Sequence, residues 1–124
     1  MYRDLCEKIL HSDPSIREVF LVSSQARVLA SSGVKDATEI SEERFAELME
    51  DLLFIVNSRA HYEDLFGKFQ SLRVGHKKTE TLVLPFENDK LLCICSRTLD
   101  LEYDKEYSAS SMQSILQQLG YAKY

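Results

Sequence analysis

Residues Ser41 to Phe66 constrain this chain more than any other stretch, because they read as one long amphipathic helix. Ser41 is suited to the N-cap, where its hydroxyl accepts a free amide of the first turn. Glu42 and Glu43 follow at the positive end of the helix dipole. Phe45, Leu48, Met49, Leu52, Val56 and Ala60 then recur at helical spacing. Leu53, Ile55, Tyr62 and Phe66 widen that stripe to roughly half the cylinder at ~100° per residue. Phe54 and Leu65 fall outside even this arc. A helix lying on one side of a small sheet needs a narrower stripe, so a second face is expected to be covered by a loop or by another subunit.

The other elements are shorter. Tyr2 to Ser12 reads as an amphipathic helix with Tyr2, Leu5, Cys6, Ile9 and Leu10 on one face. Pro14 pushes Asp13 out of the helical region, which ends the helix at Ser12 or Asp13. Glu18–Ser23 is a strand that is apolar on both faces, and Arg27–Ser31 is its hairpin partner. No Gly or Asn in Ser23-Ser24-Gln25-Ala26 supplies an easy positive φ. Gly67 is the expected C-cap of the long helix. Beyond it lie an edge strand at Lys68–Val74, a turn at Gly75-His76-Lys77-Lys78 and a strand at Thr79–Phe86. In that last strand Leu82, Leu84 and Phe86 share one face, with Pro85 near the end or a bulge. Lys90–Ser96 is a further strand, apolar on both faces, and Tyr107–Leu119 is a closing helix stopped by Gly120.

This order predicts an α+β fold in three layers, α-β-β-α-β-β-β-α, forming one domain over residues 1–124. The five-stranded, mostly antiparallel sheet has its first and fifth strands as central neighbours. The second and third strands are its edges. The long helix covers one face and the terminal helices cover the other.

Composition narrows the function. Apolar residues are 44% and charged residues 28% of the chain, which places it among ordinary globular domains. The net charge of −5 argues against non-specific nucleic-acid binding and against docking on an anionic membrane by charge. No apolar run approaches the ~20 residues of a membrane span. The opening Met1-Tyr2-Arg3-Asp4-Leu5 lacks the layout of a secretory signal. Three cysteines without framework spacing fit a reducing, cytoplasmic setting.

Ile16-Arg17-Glu18-Val19-Phe20-Leu21-Val22-Ser23 followed by Arg27-Val28-Leu29-Ala30-Ser31-Ser32 forms a distinctive pair. An apolar run leads through a short polar turn to an apolar strand ending in Ala-Ser. The long helix follows after a short loop. Thr81-Leu82-Val83-Leu84-Pro85-Phe86, a polar turn, and Leu91-Leu92-Cys93-Ile94-Cys95 complete the series. In order and length this succession resembles the Roadblock (dynein light chain) domain, a relative of the longin fold, from Tyr2 to Leu119. The departures are Gln25-Ala26, where family hairpins usually carry Asp-Gly or Asn-Gly, and the bulk of Phe45, Leu52, Leu53 and Phe54.

The resemblance implies a homodimer, or a heterodimer with a sister Roadblock chain. In such dimers the long helices pair and the third strands join edge to edge. It also implies binding to a small Ras-like GTPase, whose nucleotide cycle or location the dimer modulates. A nucleotide-independent adaptor, as in dynein or lysosomal scaffolds, is the alternative. On this reading Leu48, Leu52, Ile55, Arg59, Phe69 and Ser71 lie in or beside the dimer seam. Arg59 then pairs across subunits with Asp51 or Glu63, or else lays its stem over apolar surface with its head in water.

No enzymatic role is expected. Gly-x-Ser-x-Gly is absent, and there is no Gly-rich phosphate loop, so the chain is not itself the GTPase. Cys93 and Cys95 share a strand face without further ligands nearby in sequence and read as core packing. His11, His61 and His76 form no ligand pair. No metal or cofactor is expected. The acidic residues Glu47, Glu50, Asp51, Glu63 and Asp64 read as a solvated face or a charged interface rim. A small-molecule sensor of the PAS-like type would need a cavity lined by residues such as Phe20, Phe54 and Phe86.

Overall fold

The computed structural model describes residues 2–33 and 42–97. Ser41, the expected N-cap, and the closing helix at 107–119 lie outside them.

Helix α1 (Tyr2–Leu10) buries Leu5, Cys6, Ile9 and Leu10, the i, i+1, i+4, i+5 face of its sequence. It ends at Leu10, slightly earlier than expected, because Ser12 turns back on the chain. Its amide and hydroxyl both donate to the Ile9 carbonyl, at 3.0 and 2.6 Å. Asp13 then accepts from the Ser15 amide and hydroxyl at 2.8 and 2.7 Å, fixing the entry into β1 (Ile16–Ser23).

β1 and β2 (Val28–Gly33) form the first hairpin. Without glycine in the turn, Ala26 takes φ 64°. A left-handed alanine costs on the order of 1–2 kcal/mol. The Ser23 side chain offsets part of this by accepting from the amides of Gln25 and Arg27 at 3.2 and 3.3 Å. The register then slips between Leu21 and Val22, leaving Leu29 as the unpaired residue of a bulge on the β2 edge.

The predicted single helix over 41–66 is divided. α2 spans Glu42–Arg59, a 3₁₀ turn follows at Ala60–Tyr62, and a one-turn helix, α3, covers Glu63–Phe66. The tighter turn eclipses residues three apart, and it sets the Arg59 guanidinium 4.9 Å from the centre of the Tyr62 ring. Gly67 ends the run at φ 89°, a conformation strained for any other residue, with its amide bonded to the Glu63 carbonyl at 2.9 Å.

The predicted third strand at Lys68–Val74 is shorter and later, at Leu72–Gly75 (β3). Its register against β4 (Thr79–Phe86) pairs Leu72 with Val83. Continuing that register would set Gln70 opposite Pro85, which has no N–H to give the ladder. The Phe69 amide bonds instead to the Glu63 carboxylate at 2.8 Å. Phe69 and Ser71 therefore precede the edge strand rather than belonging to it. β5 (Lys90–Arg97) completes the sheet after a turn in which Glu87 and Asn88 take φ 51° and 67°.

The sheet order is β2-β1-β5-β4-β3, with every neighbouring pair antiparallel, so β1 and β5 are central as expected. Alternation assigns the core. Ile16, Val19, Leu21, Leu82, Leu84, Phe86, Leu92 and Ile94 share a cluster with α1. Phe20, Val22, Val83, Leu91 and Cys93 meet Met49 and Leu52 of α2 on the other side. Each large side chain fully buried in these layers contributes about 1.5–3 kcal/mol. Among the described residues, no helix is long and apolar enough to cross a membrane.

Candidate functional site

The candidate site is the side of α2 turned away from the sheet, together with the β3 edge. Phe45, Met49, Leu52, Leu53 and Val56 turn toward the sheet, with Met49 and Leu52 buried. At ~100° per residue, Leu48, Asp51, Ile55 and Arg59 then fall on a neighbouring flank. Leu48 is exposed, Ile55 half-buried and Arg59 exposed. Arg59, Tyr62 and Phe66 line an open cleft of about 240 Å³ with Phe69, Ser71 and Leu72 at the start of β3. The α2 flank and the β3 edge are thus one continuous surface.

Of the residues expected at a dimer seam, Arg59, Phe69 and Ser71 come together around this cleft. Leu48 and Ile55 lie on the same flank of α2. Leu52 stands at the sheet-side edge of that flank, only ~20–40° around the helix from Arg59 and Leu48. At 4% exposure it is taken into the chain's own core beside Met49.

Two residues outside the expected seam are conspicuous. Phe54 is 74% exposed and Leu65 is 70% exposed. Phe54 lies on the side of α2 opposite its sheet-facing residues and Leu65 in the short α3 beyond the 3₁₀ turn, and the sequence signal for them was their position outside the apolar arc. Glu47, Glu50, Asp51 and Asp64 are exposed on the same region, an acidic surround for apolar side chains.

The thiols occupy a different environment. Cys6 and Cys93 are buried and Cys95 is half-buried. Burial pushes Cys93 up to about 12 and Cys95 up to about 11, so both remain thiols near neutrality. The Cys95 sulfur sits 3.6 Å from the Thr81 hydroxyl. Glu18 faces Cys95 across the β1–β5 ladder, and desolvation raises its carboxyl above the usual carboxylate value. Gly33 stands opposite Glu18 on the other side, where an added Cβ would come within 3.2 Å of the Glu18 Cγ. Among the described residues, no group of three or more His, Cys, Asp or Glu side chains could hold a metal ion.

The phenylalanines of the sensor alternative do not share a cavity. Phe86 is buried on the α1 side, Phe20 on the α2 side, and Phe54 faces solvent. The basic turn at Gly75–Lys78 is exposed, closed by a bond from the His76 amide to the Thr79 carbonyl at 2.8 Å.

One antiparallel sheet with α1 on one face and a long α2 on the other, entered through a β1–β2 hairpin and left through a β3–β5 meander, defines a layered α+β domain. The chain shares its fold with Roadblock/LC7 domains. The solved Roadblock/LC7 domain from Streptomyces avermitilis superposes with a TM-score of 0.69 at 12% identity, covering 94% of this chain and 92% of that one. The gliding protein MglB from Thermus thermophilus gives 0.64 at 16% identity, over 76% of this chain and 69% of that one. MglC from Myxococcus xanthus gives 0.57 at 11% identity, over 94% and 91%. No protein-family model matches the chain, and no curated protein matches it by sequence.

Proposed function

We propose that this chain is a non-enzymatic, dimeric regulator or scaffold that binds a small Ras-like GTPase and modulates its nucleotide cycle or its location in the cytoplasm. The observation that carries the proposal is the uncovered outer side of α2 and α3. Phe54 and Leu65, each at least 70% exposed, are large apolar side chains on an otherwise well-packed domain, and Phe66, 74% exposed, borders the seam cleft next to them. Isolated exposed apolar residues are ordinary, but several along one helical run, rimmed by charge, suit a protein interface. The Roadblock fold supports the choice of partner, since the resemblance links it to small GTPases.

Two surfaces then have separate roles. The α2 flank and β3 edge, with Leu48, Ile55, Arg59, Phe69 and Ser71, form the dimer seam. Phe54 and Leu65, both largely in solvent, meet the GTPase. The acidic rim of Glu47, Glu50 and Asp51 steers the approach of a partner with a basic surface.

The test is capture from the source organism's lysate with this protein as bait, in GDP and in a non-hydrolysable GTP analogue, with mass spectrometry of what is retained. A Ras-like GTPase held preferentially with the GTP analogue supports the regulator. Equal retention in both nucleotides indicates an adaptor that ignores nucleotide state. Failure to retain any GTPase overturns the proposal.

A further inference from the structure

The sheet has two edges, β3 at one end of its order and β2 at the other. The β2 edge lacks the charges and proline that usually guard an edge strand. Val28-Leu29-Ala30-Ser31-Ser32-Gly33 holds neither, and Val28 and Leu29 are 43% and 44% exposed. Its backbone polarity follows from the ladder. The Ser23 amide donates to the Arg27 carbonyl at 2.8 Å, so the Ser23 peptide groups turn toward β2. Successive strand residues alternate in this direction, which turns Leu21 and Val19 the same way. Leu21–Ala30 and Val19–Ser32 are then the hydrogen-bonded pairs. Ser31 and Gly33 therefore point their amides and carbonyls away from β1, on the side where β2 has no strand neighbour. Both residues are exposed, and the bulge at Leu29 closes this open stretch at one end.

An open cleft of about 620 Å³ adjoins the stretch, lined by Tyr2 and Arg3 of α1 and by Leu29, Ala30 and Ser31. Tyr2 is fixed in place, with its ring edge-on to Phe86 at 6.2 Å and its hydroxyl donating to Glu87 at 2.7 Å. Arg3 is the only charged residue of this lining. Its ion pair with Glu7 is stretched to 4.0 Å with 80% of the arginine side chain exposed, a contact of little energy. The cleft thus combines an aromatic wall, an apolar floor at Leu29 and Ala30, and a cation that can turn to a ligand.

We propose that the β2 edge docks an extended segment of a partner protein by strand addition, with an acidic side chain of that segment on Arg3 and an apolar one over Leu29 and Ala30. The outward groups of Ser31 and Gly33 bond the added backbone, and the cleft selects among side chains. Ser31 pairs with Phe20 and shares its α2 side of the sheet, whereas Ala30 packs on the α1 side. Strand side chains alternate between faces, so the segment residue opposite Ser31 lies on the α2 side. The residues before and after it project on the Ala30 side, into the cleft. The recognised segment therefore carries its acidic and apolar residues two apart. The inference is independent of the seam and of the GTPase, because β2 is the edge opposite β3 and no residue assigned to those surfaces takes part.

The probe is a random peptide library displayed on phage and panned on the full chain, followed by synthetic peptides of the enriched sequences. Enriched peptides are expected to place an acidic and an apolar residue two apart. Their binding is expected to slow amide exchange at Ser31 and Gly33 at least about tenfold, with little change at Ala30 and Ser32, which already bond to β1. Ser31→Pro removes an outward N–H and leaves the β1 ladder intact, since an edge strand tolerates proline where its N–H side faces solvent. It is expected to keep the wild-type thermal melt and to weaken peptide binding at least about tenfold. Arg3→Glu, at an exposed position of α1, is expected to replace the preference for an acidic residue by one for lysine, and it tests the site even where proline disturbs the strand. Equal enrichment on the wild type and on folded Ser31→Pro, an acidic preference that survives Arg3→Glu, protection at Leu72–Gly75 instead, or no enriched peptide overturns the proposal. Protection of Ser31 and Gly33 that grows with protein concentration without peptide would seat a second copy of the chain on this edge and overturn it as well.

Discussion

Phe45 sets its ring edge-on to Phe20, with centroids 5.1 Å apart and planes at 85°. This contact docks the N-terminal half of α2 on the central strand β1. An edge-to-face pair adds about 0.5–1.5 kcal/mol to the area that the two rings bury. Phe45 is half-buried, so Phe45→Ala is expected to cost about 2–3 kcal/mol in denaturant unfolding, below the ~3–5 kcal/mol of a fully buried phenylalanine such as Phe86. A loss under ~1 kcal/mol would mean that α2 is held mainly by Met49 and Leu52.

Phe54 and Leu65 should behave in the opposite way. With their side chains largely in solvent, Phe54→Ser and Leu65→Ser are expected to change stability by no more than about 0.5 kcal/mol. Binding to a captured GTPase should fall at least about tenfold, as for an exposed anchor that becomes buried only in the complex. Equilibrium unfolding and a binding titration on the same preparations separate the two effects. Unchanged affinity in both variants would move the partner surface elsewhere.

Glu18 gives the domain a pH dependence of definite sign. Desolvation raises its carboxyl in the folded chain above its unfolded value. Folded protein therefore binds more protons between the two values, and this group's contribution to stability falls as pH rises through that interval. The side chain is only partly buried, so solvent screening keeps the effect small. Glu18→Gln is expected to stabilise the chain at pH 7 by up to about 1 kcal/mol and to give no gain below pH ~4, where the wild-type carboxyl is protonated in both states. Thermal melts of both proteins across that range check it. A gain that persists at low pH would point to packing rather than ionisation.

The cysteines should be silent until the fold opens. Cys6 and Cys95 are raised to about 11 and Cys93 to about 12 by burial, and the thiolate is the reactive form. An aromatic disulfide reagent under mildly alkaline conditions is expected to leave most of the thiol unreacted in the native protein over minutes, and to titrate all three cysteines promptly in denaturant. Fast native reaction of one thiol would identify Cys95, which is half-buried.

Much of the architecture was legible because period alone encodes it. Alternation in Thr79–Phe86 fixed both the extent of β4 and the side of the sheet that Leu82, Leu84 and Phe86 face. Runs that are apolar on both faces identified β1 and β5 as central, since only a strand covered on both sides avoids exposing one of its faces. The same reasoning misplaced β3. Apolar periodicity cannot see a hydrogen-bond ladder, and this one stops where its next pairing partner would be Pro85. It also ran α2 through to Phe66, because a 3₁₀ turn keeps a similar apolar pattern while changing the rotation per residue.

The order of the described elements from α1 to β5, the two buried layers and the excess of apolar residues on the long helix were therefore written in the chain itself. These depend on local period and on the separation of apolar from polar side chains. The use of each apolar residue came from packing in three dimensions. Leu52 is in the core, while Leu48 and Phe54 remain exposed, although all three belong to the same hydrophobic run. Which side of a helix a sheet covers is set by how the layers dock, and a helix too apolar for one face does not itself say which residues will be left over. Docking brought Arg59, Phe69 and Ser71 around one cleft and left Asp51 without an ion-pair partner among the described residues, because long-range packing places side chains that chain order keeps apart.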